Sequence, residues 1–181
     1  MPIFPSRREP KAPAAEPSGL PSKDVQELWF ATRRREWRSL CIMPASPGES
    51  VLGIAQALAE VGQITRRISI RIINAEGMDL AAIADLVTTM ADDAPAPMPS
   101  STAWTSSPAR LSAMGPITHS APAIIAIESV ISNPLILPVA LAADAVLLAV
   151  TLERSELASA RHSIELIGRD RLIGTVLIRP R

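Results

Sequence analysis

Tyrosine is absent from the 181 residues, and aromatic side chains make up only 3% of them. No tyrosine of this chain can therefore be a phosphorylation target. Cysteine occurs once, as Cys41, which rules out an internal disulfide and fits a reducing compartment. Lysine is confined to Lys11 and Lys23, so the sequence beyond them carries its positive charge on arginine alone. There is no run of 18 apolar residues to cross a bilayer, and the start, MPIFPSRREPK, lacks the apolar stretch of a secretory signal. A cytoplasmic protein is the expectation.

Net charge is also lacking: 18 basic side chains balance 18 acidic ones. That balance gives no general phosphate-neutralising field, and nucleic acid is not an expected partner. What the chain does have is apolar content, 48% against 20% charged, enough for one core.

Residues 1–23, with repeated Pro, Ser and Ala, have the composition of a disordered tail. A single domain is expected over 24–181, with a Pro/Ser-rich insertion at about 91–122 that contains Trp104. It opens with a helix that places Val25, Leu28, Trp29 and Thr32 on one face, followed by Trp37 among Arg33, Arg34, Arg35 and Arg38. Two readings stay open for this basic stretch: a solvated amphipathic helix packed on the domain, or a docking element for a protein or an anionic surface. Trp104 likewise either folds back on the domain or anchors a partner.

After it, short apolar runs alternate with helical periodicity. Strands are expected at Leu40–Met43, Ile68–Ile73, Ala123–Ile127, Ala145–Val150 and Leu172–Ile178. Helices are expected from Val51, after Asp79, and from a Ser155 cap to Gly168 with Leu157, Ala160, Ile164 and Ile167 facing the core. Pro134 and Pro138 predict helix breaks between the third and fourth long strands. The class is α/β, a mostly parallel sheet with helices on both faces.

Ligands of such sheets bind beyond the carboxyl ends of the strands, so the loop Pro44–Ser50 is the place to look for chemistry. There, Pro47-Gly48-Glu49-Ser50-Val51-Leu52, followed by Ala57-Leu58-Ala59, resembles the P-G-E-G-K-[ST]…N-L-A segment of bacterial tyrosine kinases and their MinD/ParA-like relatives. Further counterparts of family motifs are Asn74-Ala75-Glu76, Ile124 to Glu128, Ala143-Asp144 with the following strand, and Gly174 to Ile178. The resemblance spans roughly residues 24–178 and implies a P-loop NTPase-like, Rossmann-like three-layer sandwich.

The departures from that pattern remove the nucleotide chemistry. Ser50, Val51 and Leu52 stand where the family has Gly, Lys and Ser/Thr, and a register based on Gly48 and Gly53 puts Ile54 and Ala55 at the last two places. Asn74 replaces the first acid of the second motif, while Glu76 and Glu128 keep carboxylates with a longer reach. Ile178 replaces the adenine-contacting Asn, and Glu27 with Arg33 to Arg35 only loosely echoes the family's oligomerising E-x-x-R-x-x-R helix. His119 and His162 have no zinc-like spacing, and no nucleophile motif accompanies Cys41.

The resemblance thus implies a non-catalytic pseudokinase with no nucleotide cofactor, metal or catalytic residue. It implies a role in exopolysaccharide or capsule synthesis and export, attached at the inner membrane through a membrane-embedded co-polymerase or export protein. Self-association is left open. The alternative is a weak nucleotide-binding ATPase of the MinD/ParA type with a positioning role. Trp29, Arg33, Arg34, Arg35, Trp37, Arg38 and Trp104 are the candidate partner-binding residues.

Overall fold

The computed structural model describes residues 22–92 and 121–179. Most of the expected tail, most of the Pro/Ser-rich insertion, His119 and Trp104 lie outside these residues. The elements are α1 (Lys23–Thr32), β1 (Ser39–Pro44), α2 (Leu52–Arg66), β2 (Arg71–Asn74), α3 (Leu80–Asp92), β3 (Ala123–Ala126), α4 (Leu137–Ala142), β4 (Ala145–Thr151), α5 (Leu157–Ile167) and β5 (Leu172–Ile178).

The five strands form one sheet in the order β2-β3-β1-β4-β5, and every pairing is parallel. Parallel neighbours require crossovers, and a right-handed crossover puts its helix on a face set by the direction of travel. The step from β1 out to β2 runs one way and carries α2. The steps β2 to β3, β3 to β4 and β4 to β5 run the other way and carry α3, α4 and α5.

The packing follows this division. Trp29, Leu58 and Val61 of α1 and α2 pack with Leu40, Ile42, Ile124 and Leu147 on one face. On the other face, Ile83, Val139, Ala140, Ala160 and Ile167 pack with Cys41, Met43, Ile125, Val146 and Leu148. Being covered on both sides, β1 and β4 are apolar almost throughout.

Four local expectations are corrected. The second strand starts at Arg71 rather than Ile68, because α2 ends on Arg67 in a left-handed turn (φ 53°) and the chain must redirect before it can pair. Pro134 and Pro138 do not break a helix. They stand in the first turns of a 3₁₀ turn (Pro134–Ile136) and of α4, where a missing N–H costs nothing. Ser155 does not cap α5; its hydroxyl accepts a hydrogen bond from Thr151 N at 2.9 Å, which closes the turn after β4, and Glu156 is the residue at the cap. Leu157 is 75% exposed, leaving Ala160 and Ile167 as the buried apolar residues of α5.

Candidate functional site

The central strand β1 is the switch point of the sheet. Its loop turns to one face while those of its neighbours β3 and β4 turn to the other, and this opens the crevice where α/β folds hold ligands. The loop of residues 45–51 lies there, and each of its turns is tied down. Ala45 N donates to Ala149 O at 2.7 Å, which extends the β1–β4 ladder past Pro44. Ser46 Oγ accepts from Glu156 N at 3.2 Å, and Glu49 Oε2 accepts from Thr151 Oγ1 at 2.9 Å. Gly48 has a φ of +78°, a backbone state that a residue with a Cβ adopts only under strain.

At the far end of the loop the Glu76 carboxylate sits on the N-terminus of α2. Oε1 accepts from Val51 N at 2.8 Å, and the Ser50 hydroxyl lies 2.8 and 3.0 Å from the two carboxylate oxygens. Ser50 Oγ also accepts from Leu52 N at 3.3 Å. An α-helix begins with unpaired N–H groups and a partial positive charge, and both are met here by a side chain 25 residues along the chain. Asn74 Oδ1 accepts from Glu76 N at 3.1 Å and so fixes the turn that aims the glutamate.

Val51 is 1% exposed and packs with Leu40, Ile42, Ala55 and Leu147. Its side chain is a core residue, and Leu52 packs partly against the same group. Glu128, beyond β3, accepts from Asn133 Nδ2 at 2.7 Å. Glu49, Glu76 and Glu128 thus take separate partners, and no group of three or more His, Cys, Asp or Glu able to hold a metal occurs among the described residues.

No protein-family model, curated protein or solved structure matches this chain.

Two of the candidate partner-binding residues are corrected. Trp29 is 0% exposed and Trp37 4%, and their rings meet edge to face at 5.9 Å between centroids. With so few aromatics in the chain, these two fill the space between α1, α2 and the sheet. Trp37 Nε1 donates to Thr32 O at 3.1 Å, and Thr32 Oγ1 donates to Trp29 O at 2.8 Å, which locks the turn after α1. Neither ring is free to anchor a partner.

The arginines around them are placed differently. Arg33, Arg35 and Arg38 line a groove of about 500 Å3 with Glu36, Trp37 and Asp144, at the amino ends of β1 and β4 and opposite the 45–51 loop. The guanidinium of Arg33 lies 4.9 Å from the Trp37 ring centre and donates to Trp37 O at 3.1 Å. Burial, and next the charge of Arg66, pull its pKa down, with Glu36 opposing them. Arg35 donates to Asp170 O. Asp144 accepts from Arg38 N, Ser39 N and Ser39 Oγ at 2.8 to 3.1 Å and so clamps the start of β1.

Cys41 is fully buried in the sheet, and burial drives its thiol pKa far up, so it is a core residue and not a nucleophile. His162 is exposed on α5, 3.8 Å from Glu165. Sequence reasoning singled out Glu76 as a remnant acid but missed its role as a remote cap. The only signal was Asn74 two residues before it, an arrangement suited to a side-chain-stabilised turn.

Proposed function

We propose that this chain is a non-catalytic scaffold with a degenerate P-loop, a cytosolic partner of a membrane-embedded polysaccharide co-polymerase or export protein. The observation that carries the non-catalytic part is the Glu76 carboxylate bonded to Val51 N and Ser50 Oγ. A P-loop offers that helix end to phosphate, with a lysine to balance the charge. Here the end is filled by an internal anion, and the lysine position is a buried valine.

A phosphate entering this place would have to displace the carboxylate or lie beside it. Two unit charges of like sign 4 Å apart repel by about 4 kcal/mol at an effective dielectric constant near 20. With its loop already satisfied from within, the domain is suited to binding through its surface rather than to turnover. The polysaccharide context rests on the motif resemblance, an associational argument.

Calorimetric titration of the full chain with Mg-ATP tests the non-catalytic part. The expected result is no saturable heat up to millimolar nucleotide. Micromolar binding would overturn the proposal in favour of a MinD/ParA-like ATPase. The partner assignment is tested by affinity capture from native membranes. Recovery of a polysaccharide co-polymerase supports it, and recovery of division or DNA-partition proteins instead refutes it.

A further inference from the structure

The two edges of the sheet are unlike. At one edge β2 has only four residues, with Arg71 and Asn74 exposed at its ends. Shortness and charge are ordinary means of keeping an edge from pairing with another chain. At the other edge β5 has seven residues, LIGTVLI, with neither a charge nor a proline, and among the described residues it pairs with β4 alone.

The outward groups of β5 follow from its register. Ile178 O accepts from Leu152 N at 2.8 Å, so the backbone of Ile178 faces β4, and by the alternation of a strand so do those of Val176 and Gly174. Thr175 and Leu177 then direct N–H and C=O away from the sheet. Pairing is regular over 174–178, the register shift lying before Gly174. Thr175 stands beside Leu148, which places Thr175 and Leu177 on the face that carries α5; both are exposed, Leu177 at 64%.

The flank of α5 above this edge is open as well. Ala160 and Ile167 are turned to the sheet, and α4 packs on one side of the helix. At about 3.6 residues per turn in a right-handed crossover, Leu157, Arg161, Ile164 and Gly168 fall on the other side, over the β5 edge. Leu157 is 75% exposed, and a groove of about 210 Å3 lined by Arg161, Ile164, Glu165, Gly168 and Arg169 runs along this flank.

We propose that β5 is the seam of a two-fold dimer of this chain, in which two β5 strands pair antiparallel and the two sheets become one. A two-fold axis perpendicular to the sheet keeps each face on its own side, so odd-numbered residues oppose odd-numbered ones. Centred on Val176, it matches the whole regular span 174–178 with its copy. The backbone groups of Thr175 then meet those of the partner's Leu177, and the exposed Leu177 is covered by the partner's Thr175. Strands about 4.8 Å apart bring the two α5 helices, each seated over β4 and β5, to about 10 Å, the ordinary distance of packed helices. These helices run antiparallel with their middles level with the seam, so Arg161 faces the partner's Glu165, and the pair occurs twice. Strand length, exposed apolar residues and helix charges all match themselves, which selects a second copy over an unrelated strand. The dimer does not depend on the state of the loop after β1.

The test is sedimentation equilibrium of the full chain across the micromolar range. Expected is a monomer–dimer equilibrium that weakens at least about tenfold in Leu177→Lys, which puts a charge into the seam, and in Thr175→Pro, which removes an N–H that β4 does not use. Arg161→Glu weakens it, and adding Glu165→Arg to that variant restores it. Leu135→Lys, at an exposed leucine beyond β3, leaves it unchanged. Circular dichroism melts show that each variant is folded. Val176→Cys reads the register without disturbing the edge: facing residues of a non-hydrogen-bonded pair have Cα atoms about 4.5 Å apart, so mild oxidation gives a linked dimer, whereas Leu135→Cys gives none. A monomer throughout would leave the edge to an unrelated strand or to another part of the chain and overturn the seam. So would a dimer indifferent to both Leu177→Lys and Thr175→Pro, or a ladder of larger oligomers, which an open head-to-tail contact gives.

Discussion

Glu76 joins two parts of the chain that are otherwise separate, the loop after β1 and the turn after β2. Replacing it with alanine leaves Val51 N and the Ser50 hydroxyl without their acceptor. A cap of this kind is worth about 1–2 kcal/mol, so Glu76→Ala is expected to lower the thermal midpoint by several degrees in a circular dichroism melt. An unchanged midpoint would show that the carboxylate is not bound there in solution. Cys41 permits a second prediction. Its thiol is held protonated by burial, while the unfolded chain releases the proton near the ordinary value of 9.0. Above that pH the folded state holds more protons than the unfolded one, so stability falls as pH rises, by up to about 1.4 kcal/mol per pH unit. With no tyrosine and only Lys11 and Lys23, little else titrates in this window. Urea unfolding between pH 8 and 10.5 should show the slope in the native chain and its loss in Cys41→Ala.

Between elements, α2 packs closely on α1 at Gly62. A Cβ added at Gly62 would lie 2.5 Å from the Trp29 ring and 2.2 Å from the Ile70 side chain, both in the core. Gly62→Ala is therefore expected to destabilise by about 1–3 kcal/mol despite the better helix propensity of alanine, as measured by chemical denaturation. Stabilisation instead would mean that the helix pair is looser than described. The elements that could be read from sequence are those whose apolar pattern is set by burial on a face. The span of β5, Leu172–Ile178, is read in full, and so is the termination of α5 at Gly168, where φ is +86°. Errors fall where a local signal competes with a contact distant in sequence or with a turn. Ser155 has the chemistry of a cap but is taken by Thr151 N. Trp29 and Trp37 look like anchors beside arginines, yet in a chain so poor in aromatics the core claims them first. In the candidate site, the apolar character of position 51 was legible as a single letter, Val51. The capping of α2 by Glu76 was not, since it depends on β2 lying in the same sheet as β1 with β3 between them.

For the molecule as a whole, five parallel strands put all strand-following loops at one end and all strand-preceding turns at the other. Glu49, Glu76, Glu128, Glu153 and Glu156 fall in the first set and Arg33, Arg34, Arg35, Arg38, Arg66 and Arg67 in the second, which makes the two ends unlike in charge. This predicts that, in low salt near pH 7, the purified chain is retained on both anion- and cation-exchange resins although its formal net charge is +0. Flow-through on both would mean that the separated charges are screened or rearranged in solution. Charge-balanced proteins are ordinarily expected to tumble without preference near a charged boundary. Sorted along one axis, the same charges feel a torque near any charged boundary, so this chain would turn its arginine end toward a negative surface and its glutamate end toward a positive one.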